Sequence, residues 1–138
     1  SCDCGASRRQ RHCVMRLLSS LALLLLAGCA TDDFIVIAHR GASWDAPEHT
    51  FAAYDLAVAQ GAEWIEQDLQ MTRDGQLVVL HDDSLDRTAR GPETDCRGLV
   101  RDKTLAQLAN CEVGSWFNAE YPDRAKAGFA AERIPTLD

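Results

Sequence analysis

The sequence has no excess of basic residues, no internal repeat and no low-complexity tract, and it holds no apolar run long enough to cross a bilayer as a helix. Each absence removes a class of reading. A formal net charge of −7 argues against nucleic acid as a partner, because phosphate neutralisation needs a basic surface. Four prolines and nine glycines in 138 residues are no enrichment, so composition gives no sign of a disordered linker. What is present, 46% hydrophobic and 25% charged residues, is the ordinary balance of a globular domain. The length permits one domain at most.

The start of the chain has a different character. Met15-Arg16 lead into an apolar run over residues 17–27, broken only by Ser19 and Ser20. Its length and charged start fit the core of a secretory signal, rather than a buried helix with an incidental cysteine. The run ends in Leu26-Ala27-Gly28-Cys29, which resembles the lipobox of bacterial lipoproteins. On this reading 15–28 is a lipoprotein signal peptide, Cys29 carries the lipid and 29–33 is a spacer. The mature protein is then expected to be exported and lipid-anchored to the bacterial cell envelope, on the periplasmic side or at the outer membrane. Residues 1–14 precede the only plausible initiator and read as a non-native upstream extension. Their Cys2, Cys4, His12 and Cys13 fit no zinc spacing. That leaves Cys96 and Cys111 for a disulfide in an oxidising compartment.

From residue 34 onward the pattern is α/β. Residues 34–38 form a continuous apolar run, as expected of a parallel-sheet strand buried on both faces. His39-Arg40-Gly41 follows at its C-terminal end, where α/β sheets gather their chemistry. Thr50 predicts a helix cap, residues 51–60 a helix with Phe51, Tyr54 and Val58 on one face, and Gly61 its end. A second strand, 63–66, completes a right-handed βαβ unit. It runs into a hairpin with Asp74-Gly75 as a two-residue turn, a register that sets Asp68 opposite His81. Residues 83–103 are polar and turn-rich. Thr104 predicts a short helix, Trp116, Phe117 and Tyr121 fall on loops, and 134–138 reads as the entry to a further helix capped by Thr136.

The chemistry concentrates in that hairpin. Glu66 and Asp68, two apart on an extended chain, direct acceptor-only oxygens to one face and suit a hard cation such as Ca²⁺ or Mg²⁺. A structural salt bridge is the competing role for the pair. His39 and His81, at the ends of two strand runs, can divide general base and general acid work. Arg40 offers a forked donor for phosphate, or an ion pair with a loop carboxylate.

Six motifs occur in order: Ala38-His39-Arg40-Gly41-Ala42, Pro47-Glu48-His49-Thr50, Glu66-Gln67-Asp68-Leu69, Leu80-His81-Asp82, Leu85-Asp86-Arg87-Thr88 and Ile134-Pro135-Thr136-Leu137. Together they resemble the glycerophosphodiester phosphodiesterase family, and the Pro-Glu-His-Thr form looks most like its periplasmic and lipoprotein branch. Many members have Asn where this chain has His49. The resemblance implies a (β/α)₈ TIM barrel over 34–138 and beyond, with 83–130 as an insertion after the hairpin. It implies a Ca²⁺- or Mg²⁺-dependent hydrolase that releases glycerol 3-phosphate and an alcohol from small glycerophosphodiesters. His39 would be the base and His81 the acid, Arg40 would hold the phosphate, and Glu66 and Asp68 would bind the metal. A further metal-binding glutamate of the family is expected beyond residue 138. A complete barrel needs about 250 residues, so the chain is expected to be the N-terminal portion and inactive alone. The competing readings are a related barrel phosphodiesterase, of the phospholipase C or sphingomyelinase D kind, and a non-catalytic surface lipoprotein.

Overall fold

The computed structural model describes residues 34–137. The readings on residues 1–33, from the upstream cysteines to Cys29, lie outside them.

A short parallel ladder and the helix between its strands position the site. Strand β1 (Ile37–His39) pairs with β2 (Trp64–Glu66), Ala38 facing Ile65 and His39 facing Glu66. Helix α1 (Phe51–Ala59) connects them, as the βαβ pattern requires. Thr50 caps α1 by accepting from the Ala53 N–H at 3.2 Å, while its own hydroxyl donates to the Pro47 carbonyl at 2.7 Å. At the other end Gly61 N–H donates to the Val58 carbonyl and Ala62 N–H to that of Ala57, the paired bonds of a Schellman ending.

The buried faces differ from the sequence expectation. Helix α1 buries Ala53, Tyr54 and Ala57, whereas Phe51 and Val58 are each 62% exposed. Small side chains win this face because the turn after β1 lies directly on the helix. Gly41, at φ +81°, sits where an added Cβ would come within 2.9 Å of the Ala53 carbonyl carbon and Cβ. The apolar run at 34–38 is not buried on both faces: Ile35 and Ile37 are 63% and 62% exposed. Among the described residues β1 has a ladder neighbour on one side only, and a strand buries both faces only when further layers cover it.

The hairpin forms with a longer turn than expected. Strand β3 (Leu69–Met71) pairs antiparallel with β4 (Leu77–Val79), Leu69 facing Val79 and Met71 facing Leu77. Thr72 faces Gln76 across a three-residue turn, Arg73-Asp74-Gly75, with Gly75 at φ +80°. Asp68 is therefore set against Leu80, whose N–H donates to the Asp68 carbonyl at 3.0 Å, and not against His81. The two-residue turn loses because Asp74 is engaged elsewhere. Its carboxylate accepts from Thr72 Oγ1 at 2.7 Å and from the Leu105 N–H at 3.1 Å, and the Arg73 N–H reaches the Lys103 carbonyl.

Most of the core comes from the segment after the hairpin. Helix α2 (Glu93–Cys96), a 3₁₀ turn (Val100–Asp102) and helix α3 (Leu105–Leu108) surround one cluster. In it Leu85, Ala89, Val100, Leu108 and Val113 pack against Val78 and Leu80 of the hairpin arm. Thr104 and Gln107 close a reciprocal capping box on α3. Helix α4 (Ser115–Glu120) and a second 3₁₀ turn (Ala127–Ala131) build the other cluster, where Phe117 contacts Trp116, Tyr121 and Phe129 edge-on or tilted and Ala46 and Ala53 complete the packing. Trp116 and Phe117 are thus packing residues on a helix rather than on a loop, with Tyr121 just past its end. Residues 134–137 are extended, and a helix capped by Thr136 would lie past the described residues. Thr136 bridges Val78 and the Pro135 carbonyl accepts from the Val79 N–H at 2.8 Å, so the extended chain satisfies the free edge of β4.

Cys96 and Cys111 are joined by a disulfide with Cα atoms 5.5 Å apart, inside the first cluster. It closes a loop of 15 residues, which constrains the unfolded chain by about 3 kcal/mol. Replacing both cysteines by alanine in the full-length protein is expected to lower the unfolding free energy by about that amount, read from the urea midpoint. An unchanged midpoint would show that the bond adds nothing the core does not already supply.

Candidate active site

The turn after β1 places backbone and side chain of one residue in the same site. Arg40 (φ 63°) and His49 (φ 54°) both occupy the left-handed region, a conformation that costs a non-glycine residue about 1 kcal/mol or more and clusters at functional sites. They are tied to each other by the His49 N–H, which donates to the Arg40 carbonyl at 3.1 Å. This geometry aims the Arg40 N–H at Glu66 Oε2, 3.0 Å away. The Arg40 side chain turns to the other carboxylates: one terminal nitrogen donates to Glu48 Oε1 at 3.3 Å, and Nε lies 3.6 Å from Asp68 Oδ2. That last separation makes an ion pair but not a hydrogen bond, and among the described residues the buried Nε has no hydrogen-bond partner.

Glu66 and Asp68 converge, as their two-residue spacing predicts. His49 joins them. One ligand atom from each of His49, Glu66 and Asp68 lies within 4.8 Å of the others. His49 is buried; its Nε2 is 3.1 Å from Asp68 Oδ2 and its Nδ1 is 3.1 Å from the Tyr54 hydroxyl. A carboxylate only accepts, so in this arrangement Nε2 carries the proton and Tyr54 donates to Nδ1. Burial pushes the His49 pKa down, outweighing the pull of Asp68, Glu48 and Glu66, which keeps the ring neutral. Burial would raise the Asp68 carboxyl, but the His49 hydrogen bond and the charges around it hold it below the usual range.

Among the described residues no hydrogen bond reaches Glu66 Oε1 or Asp68 Oδ1. Two carboxylates, each held by one oxygen and open at the other, fit a hard divalent cation. The sequence pattern does not mark His49 as a site residue. Its position beside Glu48 in the loop before a capped helix was the available signal, and burial was the information lacking.

His39 and Glu66 are ladder partners, so the first histidine stands beside the carboxylate pair. His81 is at the end of the hairpin arm, with Gln70 Nε2 donating to its carbonyl at 3.1 Å. Its Nδ1 is 2.6 Å from Asp82 Oδ1, which leaves Nε2 as the free ring nitrogen. Asp82 Oδ2 accepts from Arg87 Nε at 2.7 Å, and the two terminal nitrogens of Arg87 hold Glu48 at 3.1 and 2.7 Å. Glu48, Asp82 and Arg87 lie in the ordered motifs, but nothing local in the sequence marks them as partners. The Arg87 guanidinium, with help from His81, holds the Asp82 carboxyl at about 2.

This depressed carboxyl has a sign that can be checked. An unfolded Asp titrates near 3.9, so the Asp82 contribution is fully present above that value and is lost as pH falls through about 2. The stability difference between wild type and Asp82→Asn is expected to be constant above about pH 5 and to shrink between about pH 4 and pH 2. Denaturant titrations across that range measure it; a difference independent of pH would place the carboxylate outside the network.

Comparison with known proteins agrees with this geometry. Residues 39–138 match the glycerophosphoryl diester phosphodiesterase family. The chain is 47% identical over 107 residues to the glycerophosphodiester phosphodiesterase of Bacillus subtilis strain 168, covering 78% of this chain and 35% of that protein. Among solved structures, a glycerophosphodiester phosphodiesterase from Agrobacterium tumefaciens superposes with a TM-score of 0.64 at 38% identity, over 75% of this chain and 39% of that one. An Oleispira antarctica phosphodiesterase, solved with the product sn-glycerol-3-phosphate, superposes with a TM-score of 0.62 at 41% identity, over 75% of this chain and 37% of the other. The chain thus spans little more than a third of the length of the relatives it matches. With both sequence and α/β architecture matched through the residues that build the site, the chain belongs to the glycerophosphoryl diester phosphodiesterase family.

Proposed function

We propose that this chain carries the phosphate-holding and proton-transferring part of a metal-dependent hydrolase that splits glycerophosphodiesters into glycerol 3-phosphate and an alcohol. The observation that carries the reading is the convergence of His49, Glu66 and Asp68 beside Arg40, with His39 as ladder partner of Glu66. Family membership and the named activity of the relatives support the substrate class. The fold we infer is the opening of a (β/α)₈ barrel, with β1, α1 and β2 as its first unit and 83–130 as the segment inserted after the hairpin.

In this reading Arg40 orients the phosphodiester and offsets its charge. Its side chain is already aligned by Glu48 and Asp68, and its backbone N–H fixes Glu66. Glu66 and Asp68, with His49 beside them, would hold Ca²⁺ or Mg²⁺, which when bound polarises the phosphoryl oxygens. His39 takes the proton from the attacking oxygen as the new P–O bond forms. His81 gives a proton from Nε2 to the departing alkoxide as the old P–O bond breaks, which balances the exchange. Asp82, by accepting from Nδ1, orients the ring and supports the doubly protonated form that this step requires.

The test is metal-dependent release of glycerol 3-phosphate from glycerophosphocholine by the full-length protein. Chelation is expected to abolish it. His39→Ala or His81→Ala is expected to lower kcat by about 10²–10⁴-fold with little change in KM. Glu66→Ala should weaken Ca²⁺ or Mg²⁺ binding in calorimetry together with activity. Cleavage of intact phospholipid or sphingomyelin instead of the deacylated diester would favour a related barrel phosphodiesterase. Metal binding without turnover would favour a binding lipoprotein.

We propose also that residues 15–28 direct export and that Cys29 receives the lipid, while 1–14 is an upstream extension. The apolar run and Leu26-Ala27-Gly28-Cys29 support this. Labelled palmitate should enter the wild-type protein in a bacterial host and not Cys29→Ser. Equal labelling of both would exclude this cysteine.

A further inference from the structure

Arg87 joins the hairpin arm to the loop before α1. Its Nε donates to Asp82 Oδ2, and that carboxylate's other oxygen takes His81 Nδ1. Its two terminal nitrogens clasp Glu48, and Glu48 Oε1 also receives the Arg40 guanidinium. Two chains of hydrogen bonds therefore start at one planar group, one ending at the histidine and one at the phosphate-side arginine. An exposed ion pair alone would be worth little, but bidentate geometry and membership of a network are the conditions under which such pairs do act.

The guanidinium is held on its remaining side as well. Its central carbon lies 5.6 Å from the centre of the Trp116 ring. Trp116 is buried and anchored by its indole N–H on the Val113 carbonyl at 2.8 Å. On the chain, Arg87 sits between the buried Leu85 and Thr88, in a turn closed by the Ala89 N–H on the Leu85 carbonyl. The donor is thus fixed by the post-hairpin segment, while the groups it fixes belong to the hairpin arm and to the loop before α1.

We propose that Arg87 is the positioning residue that aligns the leaving-group acid and the phosphate-binding arginine together, through Asp82 and Glu48 respectively. This rests on the activity proposed above. Arg87 need not meet the substrate, because its nitrogens are committed to carboxylates. Its fork shape matters more than its charge, since a lysine offers no planar pair of donors to span Asp82 and Glu48 at once.

The two arms predict different kinetics. A 4-nitrophenolate leaves without a proton, whereas the choline alkoxide needs one, so only the second substrate reports on the acid. The full-length protein, saturated with Ca²⁺ or Mg²⁺, is assayed on glycerophosphocholine and on the glycerol phosphate 4-nitrophenyl diester. Asp82→Asn is expected to lower kcat on the choline diester by about 10²-fold or more, on the nitrophenyl diester by less than about tenfold, and to leave KM unchanged. Glu48→Gln is expected to raise KM on both substrates without the leaving-group difference. Arg87→Met should show both effects, and Arg87→Lys should not restore wild-type behaviour. If Arg87→Met does not fold, as judged by its thermal melt, the other two variants carry the test, since each removes a single arm.

Equal losses on the two substrates for Asp82→Asn, or full activity in Arg87→Lys, would overturn the assignment. A wild type that releases glycerol 3-phosphate from neither diester would overturn the activity itself, and this proposal with it. Wild-type turnover without the substrate difference would overturn the Arg87 assignment alone.

Discussion

The missing side chain at Gly41 is the constraint on which the site depends. With no Cβ there, the turn after β1 settles onto the backbone of α1, and the Ala42 N–H bonds to the Ala53 carbonyl at 2.9 Å. That contact sets the direction in which Arg40 leaves the strand and turns its N–H toward Glu66. It also accounts for the small residues on the buried face of α1, where a larger side chain would hold the turn away. The strained backbone at Arg40 and His49 is maintained by the packing around it. The strain is therefore a by-product of a close approach between turn and helix.

Four carboxylates and two arginines meet above this turn, and their pairing explains why they can be held so close. Each carboxylate is tied by at least one oxygen: Glu66 by a backbone N–H, Asp68 by His49, and Glu48 and Asp82 by Arg87. A carboxylate whose position is already fixed needs no reorganisation when charge develops beside it. The arginines reduce the mutual repulsion of the acids, and among the described residues Glu66 and Asp68 each keep one oxygen without a hydrogen bond. A site of this kind is prepared by its surroundings, and the surroundings are as much of the design as the groups that meet the ligand.

Legibility in the sequence followed the range of the interactions. The β1–α1–β2 unit was readable because cap, terminator and apolar runs are local signals: Thr50 and Gly61 act as their types predict. The gathering of Glu66 with Asp68 was readable for the same reason, since alternation is a property of the chain itself. The hairpin register was not, because Asp74 is drawn to Leu105, 31 residues away, and the turn lengthens to allow it. The polarity of 83–103 hid a core, since Leu85, Ala89 and Val100 are spread among turn residues with no single period. His49 and Arg87 act through burial and through partners far along the chain, which no local pattern announces.

The shared packing of Val78 and Leu80 with Leu85, Val100 and Val113 bears on how this architecture can be varied. A segment that merely decorated the hairpin could be exchanged between relatives like a cassette, leaving its support untouched. Here the support and the segment have one interior, and the segment also carries Arg87. Transplanting 83–130 without β3 and β4 would separate apolar surfaces that were shaped against each other, and would strip Asp82 and Glu48 of their common counter-ion. The two are expected to be inherited as one module, with divergence admitted at the exposed turns and excluded along the seam.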